Sequence, residues 1–246
     1  MNYVTSDFTD HNTRRSLGRR IGALSIKARQ KLLRTRLKKG LRNRLMAQAK
    51  DRFKERFGFH FPDNPQLFPP DYLDLENLVD QVLTQKPRRI LELGGGYSTY
   101  ALAYAVNRLI SETGQDCEFI SVDQSADYLE VTRANLPPEL ATRVTFLHRD
   151  LYLKKRDGIL MSFFHDLPAG GFDFLYEDRC DHAETPVAGD VFDIEDQAIA
   201  GGAPFSFTID LMIATAEVCK RRLRRNYAVT GEYVTGTNFT QIVAGG

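Results

Sequence analysis

Between Pro87 and Asp210, short apolar runs of strand length alternate with runs of helical period, and several of the short runs end in a carboxylate. Residues 90–93 lead into Gly94-Gly95-Gly96 and a helical run over about 98–110. Residues 118–123 end at Asp123 and precede a helix over about 126–135, while residues 143–148 end near Asp150. Residues 172–176 and 205–209 complete the series, the latter preceded by Gly201-Gly202 and followed by Asp210. Strands joined through helices pair in parallel, so the pattern predicts an α/β sheet covered by helices, with ligands held at the carboxyl ends of the strands. The chain then closes differently, with a basic-tailed helix to about residue 225 and strands over 227–234 and 238–243. Thr235-Gly236-Thr237 between them reads as a hairpin linker.

A chain of 246 residues suits one large domain, or one domain with an appendage. No apolar run approaches the roughly 18 residues of a membrane span. The opening residues lack the apolar centre of a secretory signal, and Asp7 and Asp10 argue against a transit peptide. Cys117, Cys180 and Cys219 are scattered and form no CxxC pair, so neither a disulfide framework nor a zinc cluster is expected. A reducing cytoplasm is the expected setting, with peripheral membrane attachment left open by the charge distribution.

Residues 1–57 carry 17 Lys and Arg against four acids, and residues 58–246 carry the other 16 against 28. That asymmetry divides the chain into a basic helical arm over 1–57, a connecting segment and packing helix over 58–87, and a ligand-binding body over 88–246. In the arm, Leu33, Leu37, Leu41, Leu45, Ala49, Phe53 and Phe57 recur every four residues, with Arg34, Lys38, Arg42 and Arg52 beside the stripe. Leu17, Ile21, Leu24 and Ala28 repeat the idea more weakly, and Gly40 marks an expected break between two helices. Residues 14–56 could meet an anionic membrane surface, a nucleic acid or a partner protein, or lie across the acidic body itself. Residues 58–70 hold four prolines and, with Phe57, four phenylalanines, and either pack on the body or roof a pocket. Leu75, Leu78, Val79 and Leu83 then share one face of a helix that stops before Pro87.

Glu92-Leu93-Gly94-Gly95-Gly96-Tyr97-Ser98-Thr99 resembles the first motif of class I S-adenosylmethionine-dependent methyltransferases, an acid followed by glycines at two-residue spacing. Asp123, Asp150, Phe172-Asp173 and Gly201-Gly202 follow in that family's order, and the terminal strand pair fits its seven-stranded Rossmann-like sheet with an antiparallel last strand. The resemblance covers about residues 75–246. It implies S-adenosyl-L-methionine as cofactor, held by Glu92, Gly94, Gly96, Tyr97, Ser98, Asp123 and Asp150, with Glu92 near the aminopropyl end and Asp150 near the adenine amino group. The residues also have readings of their own. Glycines after a strand admit close approach of a ligand, and a carboxylate ending the second strand can accept both ribose hydroxyls. Asp123 and Ser98 could instead cap helices, Tyr97 could pack, Asp150 could form a turn, and the glycines could merely make a tight turn. The rival dinucleotide fingerprint wants a third glycine where Thr99 stands, and has no role for Glu92.

Methyl transfer to a hydroxyl needs alignment and a proton acceptor. Such groups belong beyond the fourth strand, where Tyr176-Glu177-Asp178-Arg179-Cys180-Asp181-His182 is the richest polar cluster. Asp178 and His182 are the candidate bases; the alternative is a loop of surface charges paired among themselves. Asp178, Asp181 and Asp210 could hold a divalent cation as in catechol-type members, but Leu211 stands where the family's second residue of an Asp-Asn pair would be, and no metal is expected. The motifs for methylating base amino groups or base C5 are missing from their required positions. The expected activity is O-methylation of a small-molecule or glycan-type acceptor. A non-catalytic scaffold working through its basic arm is the alternative.

Overall fold

In the computed structural model, residues 44, 48–179, 187–210, 212–230 and 236–242 are described. The chain divides after Ala47, and Gln48–Gly246 forms one compact unit. Most of the arm therefore lies outside the described residues.

Residues 48–57, grouped above with the arm, form helix α1 and belong to the body. The four-residue stripe explains why: Ala49, Phe53 and Phe57 are buried in the same core as Tyr72, Val79 and Tyr100. The positions flanking that stripe meet α2 (Tyr72–Gln85) as well. There the Arg52 Nε–H donates to both oxygens of Glu76 at 2.9 and 2.8 Å, and Arg56 grips Asp80 at 2.6 and 2.7 Å. For these two arginines the partner is the body's own acidic surface. Asp71 caps α2 by accepting from the Leu73 N–H at 3.2 Å, and Lys86 ends it in the left-handed conformation just before Pro87.

The remaining order is β1 (Arg89–Leu93), α3 (Tyr97–Thr113), β2 (Glu118–Asp123), α4 (Ala126–Ala134), α5 (Pro138–Ala141), β3 (Thr145–His148), β4 (Leu151–Arg156), β5 (Ile159–Phe164), β6 (Phe174–Glu177), α6 (Asp190–Ala200), β7 (Ser206–Asp210), α7 (Ile213–Arg222), β8 (Tyr227–Thr230) and β9 (Gly236–Gln241). The main sheet runs β3-β2-β1-β6-β7-β9-β8. β1 pairs in parallel with β2 and β6, and β9 is antiparallel to both β7 and β8. This is the expected seven-stranded Rossmann-like sheet with an antiparallel last strand, its order reversing between β1 and β6. A crevice for a ligand opens at that switch point, outside the carboxyl ends of the strands.

Side chains alternate across the sheet, so each strand serves two cores. Ile90, Phe119, Phe174 and Tyr176 face α2 and α3, with the aromatic residues that follow α1. Leu91, Leu93, Ile120, Val122, Leu175 and Phe207 face the other way, toward residues of α6 and α7. The strands buried on both faces are near-continuous apolar runs, as parallel sheets require.

Three local expectations change. The β4–β5 hairpin was not among the expected elements; it turns at Asp157-Gly158, both with positive φ, as a two-residue hairpin turn requires. β3 starts at Thr145, two residues later than the apolar run suggests. Gly236 and Thr237, read as linker, begin β9 and pair with Asp210 and Ile209. The β7 ladder thus recruits residues that the hairpin alone would not. Among the described residues, no helix is long and apolar enough to cross a membrane.

Candidate functional site

The turn after β1 is built around contacts that tolerate no side chain. Gly94 has φ +98°, and a Cβ there would lie 2.4 Å from the Asp178 carbonyl oxygen. Its N–H donates to Val122 O, while the Asp178 N–H donates to Leu93 O, both at 2.8 Å. The turn is thereby clamped between the ends of β2 and β6. Gly96, at φ +144° and ψ −143°, adopts a backbone shape essentially restricted to glycine. The chain enters α3 directly after it.

Glu92 lies beneath this turn with no solvent exposure. Register brings Ser121 of β2 beside it, and one helical turn brings Thr99 over it. The hydroxyls of Thr99 and Ser121 each donate to Glu92 Oε2 at 2.6 Å, and Thr99 Oγ1 also accepts from the Gly96 N–H at 3.0 Å. Among the described residues, Glu92 Oε1, Ser98 Oγ and Thr132 Oγ1 are buried with no hydrogen bond of full geometry, the Ser98 hydroxyl standing near enough to Glu92 to favour its charged form. Thr132 Oγ1 is 3.5 Å from where a Cβ on Gly95 would sit. Burial pushes the Glu92 carboxyl up to about 7, against the pull of the Ser121 and Thr99 hydroxyls. Unsatisfied buried polar atoms are costly, and several gathered at one glycine turn fit a polar ligand that would complete them.

Asp123 closes β2 beside the same turn. Its Oδ2 accepts from the Gly95 N–H at 3.0 Å, and its Oδ1 from the Ser125 N–H at 2.8 Å. The cap of α4 is Ser125, not Asp123, since Ser125 Oγ accepts from the Tyr128 N–H at 3.1 Å. Each Asp123 oxygen retains a further lone pair for a hydroxyl donor.

Two further candidate cofactor residues stand apart from these buried groups. The Tyr97 hydroxyl donates to Pro62 O at 2.6 Å and accepts from the Asn64 N–H at 3.1 Å, with its ring against Phe61. Tyr97 therefore anchors the connecting segment. Asp150 is exposed beyond β3, 4.0 Å from His148 Nε2, because the chain there has already turned toward β4. It joins none of the buried groups at the turn.

Period-two alternation splits the end of β6. Asp178 follows Tyr176 on the α2–α3 face, next in register to Asp210 of β7. Tyr176 donates its hydroxyl to Asp210 Oδ2 at 3.2 Å. Burial, then Asp210, Glu92, Glu177 and Asp74, raise the Asp178 carboxyl well above the ordinary range. Glu177 and Arg179 face the opposite core. Arg179 Nε and Nη2 donate to the two Glu177 oxygens at 2.6 and 2.8 Å, and Nη2 also reaches Asp190 of α6. Asp190 in turn accepts from the Phe164 N–H at 3.2 Å. The expected alternative of paired surface charges thus holds for the pairing of Arg179 and not for the surface. Burial pushes Asp190 up to about 6, opposed by Arg179.

His182 and Asp181 lie outside the described residues. Among the described residues, no three potential ligands gather to hold a metal ion. Thr99, Ser121, Thr132 and Asp190 escape a reading by motif. Alternation from Asp123 back to Ser121 is the signal that could have found Ser121, whereas Asp190 meets Arg179 only through the tertiary fold.

No family model matches the chain, and no curated protein matches its sequence. Solved structures do resemble it. A chain from Klebsiella pneumoniae, provisionally assigned as an O-methyltransferase, is 18% identical, with TM-score 0.49, over 83% of this chain and 97% of that one. The SAH-bound methyltransferase PaMTH1 of Podospora anserina is 13% identical, with TM-score 0.46, over 79% and 88%. The O-methyltransferase TomG of Streptomyces achromogenes, crystallised with SAM, is 16% identical, with TM-score 0.45, over 81% and 89%. Identities this low leave the chemistry to be argued from the chain's own residues.

Proposed function

We propose that the protein is an S-adenosylmethionine-dependent methyltransferase that methylates an oxygen of a small-molecule or glycan-type acceptor. The observation that carries this reading is the fully buried Glu92, met only by neutral hydroxyls among the described residues, beneath a glycine turn at the switch point of this sheet. A buried carboxyl held near neutrality is suited to a cationic ammonium, which would complete it. A nicotinamide dinucleotide offers no such group at that place. Ser98 completes the polar floor and Asp123 takes the ribose hydroxyls. The cofactor, when bound, supplies a methyl group already activated on a sulfonium.

The chain's own contribution is alignment and proton handling. Asp178, at the end of β6 and against the Gly94 turn, accepts the acceptor's hydroxyl proton; His182 is the second candidate for that step. A carboxyl raised by burial and like charge is a stronger base than an exposed one, and it ionises more readily once positive charge arrives beside it. Calorimetric titration of the full chain with S-adenosylmethionine, S-adenosylhomocysteine and NAD tests the assignment. Micromolar binding of the two sulfur compounds with none of NAD is expected; the reverse pattern overturns it.

The basic stretch before Gln48 would bring the enzyme to an anionic surface or partner. Arg52 and Arg56 are not part of that function, since Glu76 and Asp80 hold them. Replacing Arg34, Lys38 and Arg42 together by Gln should abolish salt-sensitive capture on anionic vesicles or nucleic acid, with cofactor affinity unchanged.

A further inference from the structure

The aromatic residues of the connecting segment divide sharply. Phe59 and Phe61 pack into a cluster with Phe53, Tyr72, Tyr100 and Tyr104, with ring centroids 4.7–5.6 Å apart. Phe68 does not join them. It is 67% exposed, the most exposed large apolar side chain among the described residues. A single exposed apolar residue is ordinary in itself. This backbone is held.

Pro62 and Asn64 are tied to Tyr97 of α3, and Asn64 Nδ2 reaches Asn135 Oδ1 beyond α4 at 3.4 Å. Asn64 also folds the segment onto itself, accepting from the Gln66 N–H at 3.0 Å on its side chain and from the Leu67 N–H at 3.2 Å on its carbonyl. Leu67 is buried, and Pro69-Pro70 fix the backbone immediately after Phe68. Asp71 then starts α2. Phe68 is thus presented outward between an anchored residue and two prolines.

Among the described residues its one ring neighbour is Tyr128 of α4, with centroids 6.4 Å apart at 54°. The Tyr128 hydroxyl is 3.3 Å from where a Cβ on Gly96 would lie. Tyr128 thus stands between the exposed ring and the glycine turn, on α4, the helix that follows Asp123. We infer that Phe68 and Tyr128 form an aromatic cover over the nucleoside half of the cofactor, an inference that rests on the methyltransferase reading of this site. A purine offers the flat face that stacks on such rings, and stacking would remove the Phe68 ring from water.

The protein contains no tryptophan, so Phe68→Trp installs a sole indole reporter at the cover. Its emission should change on titration with S-adenosylhomocysteine, saturating at the affinity found by calorimetry, and adenosine should shift it in the same direction. Phe68→Ala should weaken S-adenosylhomocysteine binding roughly tenfold, the scale of a lost base–aromatic stack, with an unaltered thermal unfolding midpoint. Phe68→Leu should fall between the two. Silent indole emission at calorimetric saturation, or wild-type affinity in Phe68→Ala, overturns the cover and leaves the enzyme assignment standing. Absence of S-adenosylhomocysteine binding by the wild-type chain overturns the assignment and the cover with it, and is seen before any variant is made.

Discussion

At the carboxyl edge of the sheet, two sets of charged side chains sit on opposite faces, divided at the end of β6. On one face, Glu177, Arg179 and Asp190 close upon each other, and Asp190 also takes a backbone N–H from β5. On the other, among the described residues, Glu92 meets only the hydroxyls of Thr99, Ser121 and Ser98, and Asp178 is raised by burial and then by other carboxylates. Both sets cost desolvation energy. The first recovers it inside the protein, and so fixes where β5, β6 and α6 meet. Among the described residues no cation meets Glu92 or Asp178, and in the methyltransferase reading the cofactor brings one in. Residues 177–179 show how little sequence separates the two roles: alternation alone sends Asp178 to one face and its neighbours to the other.

The largest consequence concerns Asp178. Asp178→Ala should lower methyl transfer on the order of 10²- to 10⁴-fold, the scale of a lost general base, while leaving thermal stability equal or slightly raised. A variant that keeps its turnover, measured with any accepted hydroxyl substrate, would move the base to His182. Since Asp178 is raised well above the ordinary carboxylate range, turnover should climb with pH over a limb displaced upward from that range.

Arg179→Met attacks the other face. It leaves Glu177 and Asp190 buried without their cation and should cost about 3–5 kcal/mol of unfolding free energy in urea. A loss below about 1 kcal/mol would mean the network is not holding the frame, because that is the worth of an exposed pair.

How much of this was legible in the sequence depends on the range of the interaction. The strand–glycine turn–helix unit and the carboxylate ending β2 are local, and each sits where its pattern placed it. Tyr97 belongs to the same motif, yet its hydroxyl is claimed by Pro62 and Asn64 from a segment over thirty residues earlier, which no local pattern records. The β4–β5 hairpin carried a signal in Asp157-Gly158, obscured by Lys154-Lys155-Arg156 interrupting the apolar alternation. Arg156 stands there because α6 supplies Asp193 and Asp196 to meet it, partners that the sequence around β4 does not reveal.

The pH response should separate the faces next. In the folded protein Glu92 titrates at about 7 rather than its ordinary 4.5. The folded state therefore binds this proton more tightly than the unfolded chain. Its contribution is most favourable below pH 4.5 and is lost as pH rises through about 7, a fall of roughly 3 kcal/mol. Glu92→Gln should remove that portion of the slope between urea unfolding at pH 5 and pH 8. An unchanged slope would place the proton elsewhere. Cofactor binding to the wild type should release protons near pH 7, seen as a dependence of calorimetric heat on buffer ionisation.

Asp123 is the most finely balanced test, because it serves the fold and the ligand together. Its two oxygens already hold the Gly95 and Ser125 N–H groups, so Asp123→Ala removes two local bonds and, in the methyltransferase reading, two ribose contacts. Asp123→Asn keeps one acceptor oxygen and turns the other into a donor, so one of the two N–H groups loses its partner, at a cost of about 1–2 kcal/mol of stability. With a single acceptor left for the ribose hydroxyls, cofactor affinity should fall about tenfold, equivalent to ~1.4 kcal/mol. If Asn binds S-adenosylhomocysteine as the wild type does and Ala does not, Asp123 acts only by shaping the turn. The open face would then owe its cofactor selectivity to Glu92 and Ser98 alone.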